Sequence, residues 1–187
     1  MLTIQYDLYR LTGRTNWRTF LKEFFRQRSF RFLVYFRLRK ELSMRNPLAW
    51  CVRIASFFLF RKLTIEIPDT VQLGKGFLMI HPNCITFNSK AVVGENFTIM
   101  KGATIGNIKV GRRQGSPVIG DNVYVGLNST VVGGVRIGND VMIAANTFVN
   151  FDVPDGALVI GSPGVIHQRE KASKPYINNS IKGLVLL

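Results

Sequence analysis

The chain has 187 residues, 47% of them apolar, with 25 Lys and Arg against 11 Asp and Glu and a formal net charge of +14. That length holds one ordinary domain plus an appendage, and the apolar share is enough for a packed core, which excludes a disordered chain. Cys51 and Cys84 are the only cysteines, far apart and in no metal-ligand spacing, so neither a disulfide framework nor a zinc site is expected.

The charge is concentrated at the start. Residues 1–64 contain 14 Lys and Arg but only three acids, Asp7, Glu23 and Glu41, and they hold 14 of the 21 aromatic residues. This segment is expected to be helical. Thr15 or Asn16 caps a helix from about Trp17 into the low forties, with Phe20, Phe24, Leu33, Phe36 and Leu38 among its apolar positions. Asn46 followed by Pro47 reads as the cap and first position of a second helix through about Phe60. That second run is interrupted by Arg53 and is too short to span a bilayer, and the opening lacks the pattern of a secretory signal, so a cytoplasmic location is expected. Arginines interleaved with aromatics suit the headgroup zone of an anionic membrane, as a peripheral contact on the inner face. The competing expectation is that the apolar face packs on the rest of the chain or joins an oligomer. No nucleic-acid motif is present, so no nucleic-acid partner is expected.

From residue 65 the pattern changes. An aliphatic residue recurs every six positions at Ile119, Val125, Val131, Ile137, Ile143 and Val149. A second row follows each by four, at Val123, Ser129, Val135, Val141, Thr147 and Val153. The residue after the first row is usually tiny, as at Gly120, Gly126, Gly138 and Ala144. The same beat runs through Ile67, Leu73 and Met79, then Phe87, Val93, Ile99 and Ile105. Two slips interrupt it, one between Met79 and Phe87 and one between Ile105 and Ile119, where residues 107–117 read as a projecting loop. Six is neither a helical period nor a sheet alternation. It fits a short strand and a tight corner, repeated, with the aliphatic residue inward and the small residue letting the backbone turn. A sandwich of short strands is the alternative, but its strands do not hold phase over six repeats.

Residues 65–166 therefore resemble the hexapeptide-repeat acyltransferases, and within them the serine acetyltransferase branch. Leu73-Gly-Lys-Gly-Phe-Leu-Met-Ile-His81 matches the strand entering that branch's catalytic histidine, and Asp152-Val-Pro-Asp-Gly156 with Ile160-Gly-Ser-Pro163 matches its closing segment. The resemblance implies a mainly β fold, a left-handed parallel β-helix preceded by a short α-helical N-terminal segment. It implies acetyl-CoA as co-substrate, no metal, and a homotrimer with sites between subunits. A metal-dependent relative of the same fold needs three histidines around each zinc, and this coil offers one.

His81 sits in the first slip, where a bulge can turn a side chain outward. It is either a surface histidine at a distorted corner or, as the resemblance implies, the general base that takes the acceptor's hydroxyl proton and returns it to the leaving thiolate. Cys84 is more simply a small hydrophobe than a nucleophile. The branch's aspartate partner falls on Glu66, which alternatively is a solvated carboxylate; the acid directly before its histidine is replaced by Ile80. For the acyl donor, the matching positions are Gly106, Leu127, Ala145, Gly161, Ser162 and Pro163, with Arg169 and Lys171 as phosphate contacts. Asn83, Arg112 and Arg113 are the candidate acceptor contacts, beside Lys109 and Gln114 in the same loop. The branch's Arg-His clamp for an amino-acid carboxylate is replaced by Gly115 and Ser116.

The leader, including its opening Asp7-Leu-Tyr-Arg-Leu-Thr-Gly13, resembles those of polysaccharide and lipopolysaccharide O-acetyltransferases. On these grounds the expected activity is acetyl transfer to a sugar hydroxyl of a surface glycan or its lipid-linked precursor. The alternatives are serine O-acetylation or a non-catalytic trimeric membrane-binding scaffold. The chain divides as 1–64, 65–166 and a tail, 167–187, with no role assigned to the tail.

Overall fold

The computed structural model describes residues 3–60 and 64–184; residues 61–63 and the last three residues of the tail's Gly-Leu-Val-Leu-Leu ending lie outside the described residues. The leader forms α1 (Ile4–Thr12), α2 (Trp17–Arg26), α3 (Arg28–Glu41) and α4 (Pro47–Phe60). Gly13 closes α1 in the left-handed conformation at φ 69°, its N–H donating to Tyr9 O. Asn16, not Thr15, caps α2, its side chain accepting from Thr19 N at 2.9 Å. The Asn46 side chain likewise accepts from Leu48 N at 2.9 Å at the head of α4.

The single helix expected from Trp17 into the forties is broken. Gln27 is extended (φ −107°, ψ 117°), and α2 and α3 meet there at an elbow. Carbonyls freed at the end of α2 are taken by Arg31, whose Nε and Nη2 donate to Phe24 O and Phe25 O at 3.0 Å each. Helix α1 lies within the segment expected to be helical but ahead of the first helix start expected there, at Trp17.

The rest is a parallel β-helix of short strands. The first turn carries β1 (Ile65–Glu66), β2 (Gln72–Leu73) and β3 (Leu78–Ile80), and the second β4 (Ile85–Phe87), β5 (Val92–Val93) and β6 (Thr98–Met100). Then come β7 (Thr104–Gly106), β8 (Val118–Ile119) and β9 (Tyr124–Val125), followed by β10 (Thr130–Val132), β11 (Arg136–Ile137) and β12 (Met142–Ile143). The last turn holds β13 (Phe148–Val149), β14 (Leu158–Ile160) and β15 (Val165–His167). Strands β1, β4, β7, β10 and β13 stack as the first face, β2, β5, β8 and β11 as the second, and β3, β6, β9, β12 and β14 as the third. All of these pairs are parallel; β15 alone turns back antiparallel on β14, so the coil ends in a reversal rather than continuing to residue 166 as another rung.

Both six-beat rows point inward. Ile119, Val125, Val131, Ile137, Ile143 and Val149 are buried, as are Val123, Val135, Val141 and Val153. Ser129 and Thr147, the polar members, are also buried and are satisfied internally: Ser129 Oγ donates to Ala144 O at 2.6 Å, and Thr147 Oγ1 accepts from Gly161 N at 3.2 Å. The small residues after the first row stack at two corners of the prism, Gly94, Gly120 and Gly138 at one and Gly126 and Ala144 at the next. A Cβ on Gly94 would lie 2.7 Å from the carbonyl carbon and oxygen of Gly120 in the next coil and would also strike the Asp121 carboxylate. Gly94→Ala is therefore expected to lower stability by about 3 kcal/mol through overpacking against backbone, measurable by urea unfolding.

A solenoid's first coil has backbone groups with no coil beneath them. Here the leader supplies partners. Arg37 donates to Leu73 O at 2.7 Å and Gly74 O at 2.6 Å, Lys40 Nζ to Val71 O at 2.5 Å, and Arg10 Nε to Gly76 O at 3.2 Å. The Asp7 carboxylate accepts from Phe77 N at 2.9 Å and pairs with Arg37 at 2.8 Å. Burial pushes the Asp7 carboxyl above its ordinary range, opposed by Arg37 and by the N–H groups it accepts from. Burial also brings the Arg10 guanidinium down to about 10, so it stays charged at neutral pH. The tail closes the structure lengthwise. Ser173 N donates to Asp140 O, Tyr176 lies 4.9 Å from the Tyr124 ring, and Ile181 N donates to the Asn96 side chain at 2.9 Å. It also meets α1, where Arg10 donates to Asn178 O.

Candidate active site

Strand β3 runs in register with β6, Ile80 opposite Met100, and the coils realign where Gly102 N donates to Asn83 O at 2.9 Å. Between those points residues 81–83 stand against Lys101 alone. The first phase slip is thus a corner bulge with two extra residues. His81 is exposed and left-handed at φ 53°, so the bulge carries its ring out of the prism as expected. Cys84 closes the bulge, also left-handed at φ 51°, with its N–H donating to Thr64 Oγ1 at 2.8 Å.

The bulge forms one side of an open cavity of about 510 Å³. Residues Leu78 to Asn83 make its floor, and the leader makes its wall through Leu11 of α1 and Gln27, Arg28 and Ser29 at the elbow. Gln27 Nε2 donates to the buried Glu23 carboxylate at 2.8 Å, which fixes the amide. Among the described residues that line the cavity, only His81 and Arg28 are ionisable. These elbow residues were not anticipated from the sequence. The polar run Arg26-Gln27-Arg28-Ser29 between Phe25 and Phe30 was the available signal.

The anticipated donor positions divide. Register places Leu127, Ala145 and Gly161 on successive coils at the corner that His81 begins: Asn128 N donates to Lys101 O, Asn146 N to Leu127 O, and Phe148 N to Gly161 O. With coils about 4.8 Å apart, this ridge climbs roughly 19 Å from His81 to Gly161, where Ser162 and Pro163 are exposed at its end. Leu127 is half-buried and Ala145 exposed. Gly106 is elsewhere, at the far end of β7 opposite Val132, across the first face. Arg169 and Lys171 are exposed on the tail beside Gly156, across the third face from the ridge.

Asn83 shares the cavity with His81. Arg112 and Arg113 do not: the loop of residues 107–117 closes on itself through Ile108 and Gly115 and packs on the corner at Gly133 and Gly134, at the other end of the first face. There Arg113 pairs with Asp152 at 3.3 Å. Glu66 lies exposed on β1 beside Thr86, in a separate depression with Arg39, Ser56 and Phe60. Among the described residues no hydrogen bond or ion pair joins Glu66 to His81. Strand β1 belongs to the first face, whereas His81 leaves the third.

Residues 116–150 match the bacterial transferase hexapeptide (six repeats) family. Over 106 residues, 57% of this chain, the sequence is 33% identical to a serine acetyltransferase of Staphylococcus aureus and covers 50% of it. The chain thus spans about half the length of that curated relative. The structure of Neisseria gonorrhoeae serine acetyltransferase superposes with a TM-score of 0.71 at 26% identity, covering 90% of this chain and 66% of that one. The Brucella abortus serine acetyltransferase solved with coenzyme A shares the fold, with a TM-score of 0.70 at 23% identity over 90% of this chain and 67% of that one. These relatives are serine acetyltransferases, not the polysaccharide and lipopolysaccharide O-acetyltransferases to which the leader had pointed.

Proposed function

We propose that the protein is an O-acetyltransferase that moves acetyl from acetyl-CoA to a hydroxyl, with His81 as general base. The observation that carries this reading is the outward His81 ring in a cavity at the foot of the ridge formed by Leu127, Ala145 and Gly161. The imidazole takes the hydroxyl proton as the oxygen attacks the thioester carbonyl. The tetrahedral intermediate then expels the thiolate, which recovers the proton from the imidazolium. The ridge offers small corners and exposed backbone for the pantetheine arm. Because the ridge is open, a neighbouring chain of a homotrimer supplies its other wall.

Serine is the acceptor that the relatives favour. Arg28 supports it, as a cationic residue lining the cavity that can hold a carboxylate where Gly115 and Ser116 cannot. A second reading, a sugar hydroxyl, rests on a specific observation: among the described residues no carboxylate lines the cavity to receive an ammonium group. Thiol release from acetyl-CoA, measured with L-serine and separately with sugar acceptors, decides between them. Turnover on serine supports the first reading, and turnover confined to sugars supports the second. Absence of thiol release with every acceptor overturns both and leaves the scaffold.

Arg28→Ala is expected to raise the acceptor KM about tenfold while leaving the KM for acetyl-CoA unchanged, as steady-state kinetics would show. Glu66→Gln is expected to lower kcat by less than about tenfold, since its carboxylate lies outside the cavity; a loss comparable to that of a His81 variant would restore Glu66 as its partner.

A further inference from the structure

We propose that the outer faces of α2 and α4 form a docking surface for an anionic lipid bilayer, independent of the reaction at His81. On α2 the large apolar residues Trp17, Leu21 and Phe25 recur every fourth position and are 68%, 44% and 72% exposed. On α4 Trp50, Ile54 and Phe58 repeat the spacing at 56%, 57% and 67%. That period places each set on one helix face, and patches of this kind on a folded surface mark a binding site. Both helices flank α3: Phe24 of α2 and Phe60 of α4 meet the same Tyr35 ring, at 6.2 and 5.6 Å.

Charge identifies the occupant. Arg14, Arg18, Lys22 and Arg26 are exposed along and beside α2, and Arg45 is exposed ahead of α4. Of the leader's three acids, Asp7 is buried against Arg37 and Glu23 against Gln27, so Glu41, near Trp17 and Leu21, is the one left exposed against these five cations. Burying those carboxylates leaves the helices an outer surface dominated by cations around aromatic stripes. A second copy of this chain would oppose those cations with the same cations. Nucleic acid would neutralise them but has no use for Leu21 and Ile54. An anionic bilayer satisfies both, with rings entering the headgroup boundary and long cationic stems reaching the phosphates. Arg18 already lies 5.6 Å from the Trp17 ring, joining cation to aromatic at the surface. Among the described residues no helix is long and apolar enough to cross a membrane, so this contact is interfacial.

The test is sedimentation of the full chain with phosphatidylcholine–phosphatidylglycerol vesicles and with pure phosphatidylcholine vesicles. Binding is expected to the first, to weaken with added salt, and to fall at least tenfold in the combined variant Trp17→Ser, Phe25→Ser, Trp50→Ser. Arg18→Glu with Lys22→Glu is expected to have a comparable effect. Circular dichroism checks the fold; should the combined variant unfold, Trp17→Ser and Phe25→Ser taken singly, each expected to lose severalfold, carry the test. Equal binding to both vesicles, or binding unchanged in the aromatic variants, overturns the proposal. So does a wild-type protein that ignores vesicles while the aromatic variants dissociate an oligomer in the ultracentrifuge, which would make this face an interface between copies.

Discussion

His81→Ala is expected to reduce kcat for acetyl transfer by about a thousandfold, within the range set by removal of a general base, while acetyl-CoA binding persists. Two features make the experiment clean. The ring is exposed and packs in no core, so the melting temperature should hold. The position is left-handed at φ 53°, a conformation that asparagine tolerates, so His81→Asn preserves the backbone while removing the base. Both variants should lose the same activity in a thiol-release assay. If the asparagine variant kept wild-type turnover, the residue would be a surface histidine at a distorted corner and the reaction would belong elsewhere.

The second large effect concerns stability. Arg37→Ala is expected to cost about 3–5 kcal/mol, because it leaves the Asp7 carboxylate, whose side chain is 0% exposed, buried without its cation. It also strips Leu73 O and Gly74 O of their donor at the open end of the coil. Replacing Asp7 and Arg37 together by apolar residues of similar volume should cost far less, since no lone charge remains. Urea unfolding of the single and double variants measures the difference. Limited proteolysis should show the leader released from the first coil before the later coils open. Equal losses in the single and double variants would mean that the pair does not act as a unit.

The solenoid was legible because its signal repeats. Each coil sees the same surroundings as its neighbours, so inward residues such as Ile137, Ile143 and Val149 recur at a fixed interval, and the interval is visible without knowing what each residue touches. His81 was legible for a related reason: a break in a regular beat marks where the chain departs from the prism, and a histidine stood at the break. The leader has no repeat. Its break at Gln27 depends on Arg31 taking two carbonyls, and the burial of Asp7 and Arg10 in α1 depends on contacts with residues about seventy and ninety positions away.

The sequence by itself determined the β-helix, its phase and the corner from which the histidine projects, because six-residue periodicity is a local property that each coil restates. Only the tertiary structure decided that the elbow at Gln27 and Arg28 walls the cavity, that Glu66 and Gly106 lie away from it, and that two of the leader's three carboxylates, Asp7 and Glu23, turn inward. Those outcomes follow from which face each segment presents once the helices cap the open end of the first coil. That choice is made by unpaired backbone groups and buried charges finding partners across the fold, and no short stretch of chain encodes it.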